Sequence, residues 1–166
     1  MSYIIEFEGF PLSRKFIFKE VTVTNLASDK YKTYFIKSSC SRKSLSVKDN
    51  KVVVFCERKL HGINWNFGFH SFISFKTFLS GIKVGEKVYT KGIQKCEYLK
   101  QLVDPGVLVI NLEEIECENV SVYLKNFTPQ KCALHREFHH EHCSYVKAQA
   151  FKYFLNKYES LNSEES

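Results

Sequence analysis

The stretch from Cys132 to Cys143, CALHREFHHEHC, packs two cysteines and four histidines into twelve residues. The side chains are Cys132, His135, His139, His140, His142 and Cys143, and the whole chain has only six histidines. Thiolate and imidazole are the donors that tetrahedral zinc prefers. A chain that holds a metal here must bring these donors to one point, together with whichever segment completes the set. Cys132 and His135 can meet one ion from a single turn, and Cys143 can return across a short loop. A fourth ligand comes from a local histidine (His139, His140 or His142) or from a distant segment, and spacing alone favours the local choice. Such a set is structural, with four protein ligands and no position left for water. It would stabilise the fold by tying segments together.

The rest of the chain reads as one domain over residues 1–158, followed by a disordered tail over 159–166. Residues 3–8, YIIEFE, read as a strand. A second strand runs from Lys15 to Asn25 and a third from Tyr31 to Lys37, joined by the turn sequence NLASDK. Ser38 to Asn50 is polar and basic without a period and reads as a loop. KVVVFCERK reads as a short strand, and HGINWNFG as an irregular connection in which His61 and Trp65 serve packing rather than base stacking. Phe69 to Ile82 has apolar residues at helical spacing. KVYTKG is then a strand, Gln94 to Leu102 a helix, VLVINLEEI a strand, Glu118 to Gln130 a loop, and Tyr145 to Tyr158 a helix. A meander followed by alternating helices and strands predicts an α/β fold with a mixed sheet flanked by helices.

The net charge is +6. It is compatible with a polyanionic partner and does not require one. The positive residues cluster over Lys30–Lys51 and again over Lys83–Lys100. No signal peptide is legible at MSYIIEFEGF, and no apolar run reaches the length of a membrane span. The remaining cysteines, Cys40, Cys56, Cys96 and Cys117, lack paired ligand spacing and read as free thiols. The expectation is an intracellular protein, nuclear or cytoplasmic, with no membrane partner. A cysteine nucleophile needs a placed base and an oxyanion hole, and nothing in the chain marks either.

The order of elements resembles the ribonuclease H-like superfamily, and within it the DEDDh exonucleases. In that family a first strand carries Asp-x-Glu, a middle helix a second Asp, and the last helix follows a His and carries an Asp; the acids hold two divalent cations. Here IIEFEGF supplies Glu6 and Glu8. In KGIQKCEYL the second acid is replaced by Lys95, and in HCSYVKA His142 is kept but the last acid is Lys147. An ammonium at a cation site repels the metal by roughly 4 kcal/mol at ~4 Å and an effective dielectric of ~20. The two-metal centre is therefore expected to be lost, leaving Lys91, Lys95 and Lys147, with Arg42 and Lys43, as candidate phosphate contacts.

A degenerate exonuclease fold with zinc resembles the Maelstrom domain, whose members carry a Glu-Cys-His-Cys set. FKEVTVTNLASDKYKTYFIK places Glu20 in the matching strand, CALH supplies Cys132 and His135, and Cys143 stands before the last helix. The resemblance covers roughly Ile4 to Leu155. It implies a structural zinc held by Glu20, Cys132, His135 and Cys143. It also implies binding of RNA or single-stranded nucleic acid, and a place beside silencing-complex proteins in small-RNA (piRNA-type) control of transposons. Two alternatives stand beside this: a single-strand RNA endonuclease using lysine, arginine or histidine, and a protein-interaction scaffold.

Overall fold

The computed structural model describes residues 1–130, Cys132, Leu134 and 140–165, the side chain of His140 excepted. Five strands form one sheet: β1 (Ser2–Pro11), β2 (Phe16–Asn25), β3 (Tyr31–Phe35), β4 (Lys87–Thr90) and β5 (Leu108–Asn111). Their spatial order is β3-β2-β1-β4-β5. The meander β1-β2-β3 is antiparallel, whereas β4 pairs parallel to β1 and β5 parallel to β4. Among the described residues five α-helices accompany the sheet: α1 (Val47–Lys59), α2 (Phe72–Ser80), α3 (Ile93–Lys100), the single turn α4 (Val120–Tyr123) and α5 (Ser144–Glu164). The chain is thus a mixed α/β protein. None of its described helices is long and apolar enough to cross a membrane.

Each face of the sheet buries its own core. Ile5, Phe7, Phe18, Val21 and Val23 pack against Phe75 and Leu79 of α2 and Leu99 of α3. On the other face Ile4 and Tyr89 pack against Val120 of α4 and Val146, Ala150, Phe151 and Leu155 of α5. A third cluster joins Phe10 and Ile17 to Val53 and Cys56 of α1 and to Trp65. With helices on both faces, β2 is buried almost along its length, so its polar residues Lys19, Glu20, Thr22 and Thr24 are buried too. Each must find a partner inside the protein.

The register of β1 against β2 slips where this matters. Glu8 faces Glu20, but the next pair is Gly9 with Phe18, so Lys19 is an extra residue in β2. This β-bulge breaks the alternation of side chains. It lets Phe18 and Val21, three apart, share one core while Glu20 turns towards α5. Gly9 permits the close approach, because a Cβ there would run into the Ile17 carbonyl.

Several expectations are corrected. KVVVFCERK is not a strand: it is most of α1, and the preceding loop contains a short 3-10 turn at Arg42–Ser44. The β-branched run suggested a strand, but β-branched residues cost a helix only tenths of a kcal/mol each. The capping pattern decides otherwise. Ser46 accepts a hydrogen bond from Asp49 N at 3.1 Å, and Asp49 Oδ1 accepts from Ser13 N at 3.0 Å and Ser13 Oγ at 2.7 Å. The helix start is thereby tied to the β1–β2 turn. VLVINLEEI is strand only as far as Asn111, whose side chain caps a 3-10 turn over Leu112–Ile115. The loop after Glu118 contains α4. The segment from 159, expected as a disordered tail, continues α5 to Glu164, since no glycine or proline interrupts it. Trp65 is packing: it is buried, and its indole N–H donates to Cys40 O at 3.2 Å.

Candidate metal centre and the adjoining lysine crevice

Glu20 projects from the bulged part of β2 and is fully buried at the start of α5. Its Oε1 accepts from both Ser144 N and Ser144 Oγ, each at 2.6 Å. The carboxylate therefore sits on the first amide of a 21-residue helix, where the helix dipole favours negative charge. Thr22 Oγ1 lies 2.8 Å from Ser144 Oγ and holds that hydroxyl from the same strand. The other carboxylate oxygen, Oε2, accepts from Cys132 Sγ at 3.7 Å.

Cys143 completes the group from the residue just before α5. One donor atom from each of Glu20, Cys132 and Cys143 lies within 4.8 Å of the others, the one such cluster among the described residues. Cys143 is fully buried and Cys132 nearly so. The Cys143 pKa is held far above the ordinary thiol value, first by a hydrogen bond with Cys132, then by burial, then by the Glu20 carboxylate. Two thiols cannot ionise beside a buried carboxylate unless a cation joins them. Two sulfurs and a carboxylate oxygen are also a donor set that a divalent metal of borderline softness accepts. The residues present thus fit a metal ion.

Of the expected ligands, Glu20, Cys132 and Cys143 come together, whereas His135 lies outside the described residues, as does His139. His142 does not join this group. It lines a separate crevice of about 340 Å³ in which Lys91, Lys95 and Lys147 stand among the acids Glu6, Glu113 and Glu141. The crevice opens near the carboxyl ends of β4 and β5, the usual place for ligands in α/β sheets.

The lysines of the crevice are engaged. Lys95 Nζ, from α3, lies 2.9 Å from Glu6 Oε1, and Lys147 Nζ, from α5, lies 2.7 Å from Glu8 Oε1. The other Glu6 oxygen accepts from Thr90 Oγ1 at 2.8 Å and Lys91 N at 3.0 Å. Lys91 Nζ donates to Glu118 O at 2.6 Å and Asn119 Oδ1 at 3.3 Å. Burial works against the Lys95 ammonium, but Glu6 and then Glu8 outweigh it, and its pKa stands above the usual lysine value. Both acidic positions of β1 thus carry an internal counter-cation. Arg42 and Lys43 lie apart, in the 3-10 turn before α1; Arg42 bonds Glu57 at 3.4 Å and Asn50 at 3.1 Å, and Lys43 is exposed.

Sequence reasoning missed Ser144 and Thr22, which orient Glu20, and Thr90, which holds Glu6. Ser144 had no local signal, because its hydroxyl donates to Glu20 rather than capping α5, and Thr90 had none, because only the sheet order brings it to Glu6. Neither the known protein-family models nor the curated proteins match this chain.

Proposed function

We propose that this chain is a zinc-stabilised, catalytically degenerate exonuclease-like domain of the ribonuclease H-like plan, and that it binds RNA or single-stranded nucleic acid. The observation that carries the reading is the convergence of Glu20 and Cys132, 112 residues apart in the chain, with Cys143 in one buried cluster. Glu20, Cys132 and Cys143, three of the four residues that the resemblance implies, bring their donor atoms within 4.8 Å of one another, and His135 is the fourth ligand the resemblance supplies. Zinc at this point would act as a structural cross-link between β2 and the start of α5. The strand order β3-β2-β1-β4-β5, with an antiparallel meander and two parallel additions, supports the ribonuclease H-like plan.

Loss of the two-metal centre is supported by the pairing of Glu6 with Lys95 and Glu8 with Lys147. Carboxylates that each hold an ammonium are not available to bind a divalent cation. The same pairing reduces what Lys95 and Lys147 can offer a phosphate. Lys91, whose partners are neutral, and the exposed Lys43 then carry more of the nucleic-acid contact than Arg42, which Glu57 pairs, through charge rather than base recognition. A role with silencing-complex proteins in transposon control belongs to this reading.

Elemental mass spectrometry of the purified, untagged protein tests the metal, and fluorescence anisotropy with a single-stranded RNA tests the ligand. About one zinc per chain, lost in both Glu20→Ala and Cys132→Ala, is the expected result. RNA affinity should fall steeply with salt and weaken in a Lys43→Glu, Lys91→Glu double variant. A folded protein without metal refutes the zinc centre; salt-insensitive or absent RNA binding refutes the nucleic-acid role.

A further inference from the structure

The outer side of α1 is a stripe that the fold leaves open. Val47, Lys51, Val54 and Arg58 recur at intervals of three and four residues, which places them along one face with Phe55 beside them. The opposite face carries Val53 and Cys56 into the core with Phe10 and Trp65. Val47 is 75% exposed and Phe55 55% exposed. With Lys59 these residues line a shallow groove of about 520 Å³. Its lining holds three cations and no acid.

An occupant has to satisfy both parts of this surface. Phosphates would neutralise Lys51, Arg58 and Lys59 but leave Val47, Val54 and Phe55 in water. A second copy seated face to face would set three more cations against these, and like charges across an interface oppose association. An acidic amphipathic helix meets both needs, with apolar anchors against Val47, Val54 and Phe55 and carboxylates against the cationic rim.

We propose that the outer face of α1 is a docking groove for an acidic amphipathic helical segment of a partner protein. Phe55 lies among the apolar lining and is the anchor on which such helix-in-groove binding concentrates its energy. Lys51, Arg58 and Lys59 set orientation, association rate and salt dependence. The proposal does not rest on the metal centre, because α1 is held by its inner face and by Ser46 and Asp49.

The test uses the full chain and a fluorescein-labelled peptide of about 16 residues with leucines at helical spacing and glutamates between them. The comparison probes are a scrambled peptide of the same composition, a single-stranded RNA and phosphatidylserine vesicles. Binding of the ordered peptide with Kd below about 100 μM, at least about tenfold tighter than the scrambled one, is expected. Phe55→Ser should weaken it about tenfold or more with an unchanged melting curve. Arg58→Glu should weaken it and flatten its salt dependence. The proposal is overturned by absence of binding, by equal binding of the scrambled peptide, or by Phe55→Ser leaving the affinity intact. It is equally overturned if RNA or vesicles, rather than the peptide, are the probes that Phe55→Ser releases.

Discussion

Replacing Lys95 by methionine removes an ammonium while keeping most of the side chain's volume. Glu6 is then left fully buried with one oxygen bereft of its 2.9 Å partner, while the other keeps Thr90 and Lys91 N. Breaking a buried pair from one side costs about 3–5 kcal/mol. The Lys95 side chain is 22% exposed, so water can reach the broken site, and the lower end, about 3 kcal/mol, is expected. For a chain of this size that corresponds to a fall in Tm of about 6–12 °C. Removing both charges, as Lys95→Met with Glu6→Gln, should recover most of the loss, since a buried pair is worth little against a neutral replacement. The pH dependence follows from the raised Lys95 pKa. A base whose folded pKa lies above its unfolded value stabilises fully below the unfolded value and loses that contribution as pH rises through the folded one. The gap between wild type and Lys95→Met should therefore be constant from neutral pH to about 10 and shrink only above 10.5, the ordinary lysine value. Urea denaturation of the three proteins at several pH values measures the free energies, and a thermal melt measures the Tm. A single variant within about 1 kcal/mol of wild type, or a double variant no better than the single, would refute the reasoning.

Metal binding should tighten as pH rises from about 6 to 8, because the raised Cys143 thiol must give up its proton to a metal; competition with a chelator at each pH measures it. Lys19, fully buried among Ser38 Oγ, Trp65 O and Phe67 O, has its pKa lowered to about 8, chiefly by burial. NMR of 13C-labelled lysine should show one side chain titrating there and lost in Lys19→Met. Because the unfolded chain keeps that proton longer, Lys19 should add stability as pH rises from about 8 towards 10.5, and the Lys19→Met variant should lack this rise. Ser46→Ala removes the α1 cap and should cost about 1 kcal/mol in chemical denaturation.

Much of the architecture was legible because it is written in short-range periodicity. The meander, the helices at Phe72 and Ser144 and the short parallel strands follow from alternation and from i, i+3, i+4 spacing within single segments. Helix α1 escaped because a run of valines outweighed the quieter signal of Ser46 three residues before Asp49. The lysines at 95 and 147 were legible as departures from an acidic pattern. Their pairing with Glu6 and Glu8 was not, because those partners are 89 and 139 residues away.

By itself the amino-acid order determined the donor types of the candidate metal centre, the sequence of layers and the exchange of acids for lysines, since each is a property of residues close along the chain. Spacing favoured a local histidine and only the resemblance pointed to Glu20; the tertiary structure is what sets Glu20, rather than His142, beside Cys132 and Cys143. That outcome rests on one extra residue in β2: the bulge at Lys19 sets the phase of the strand, and the phase decides which side chains meet α5. A choice of this kind depends on contacts between segments that are distant in the chain, and no local period encodes it.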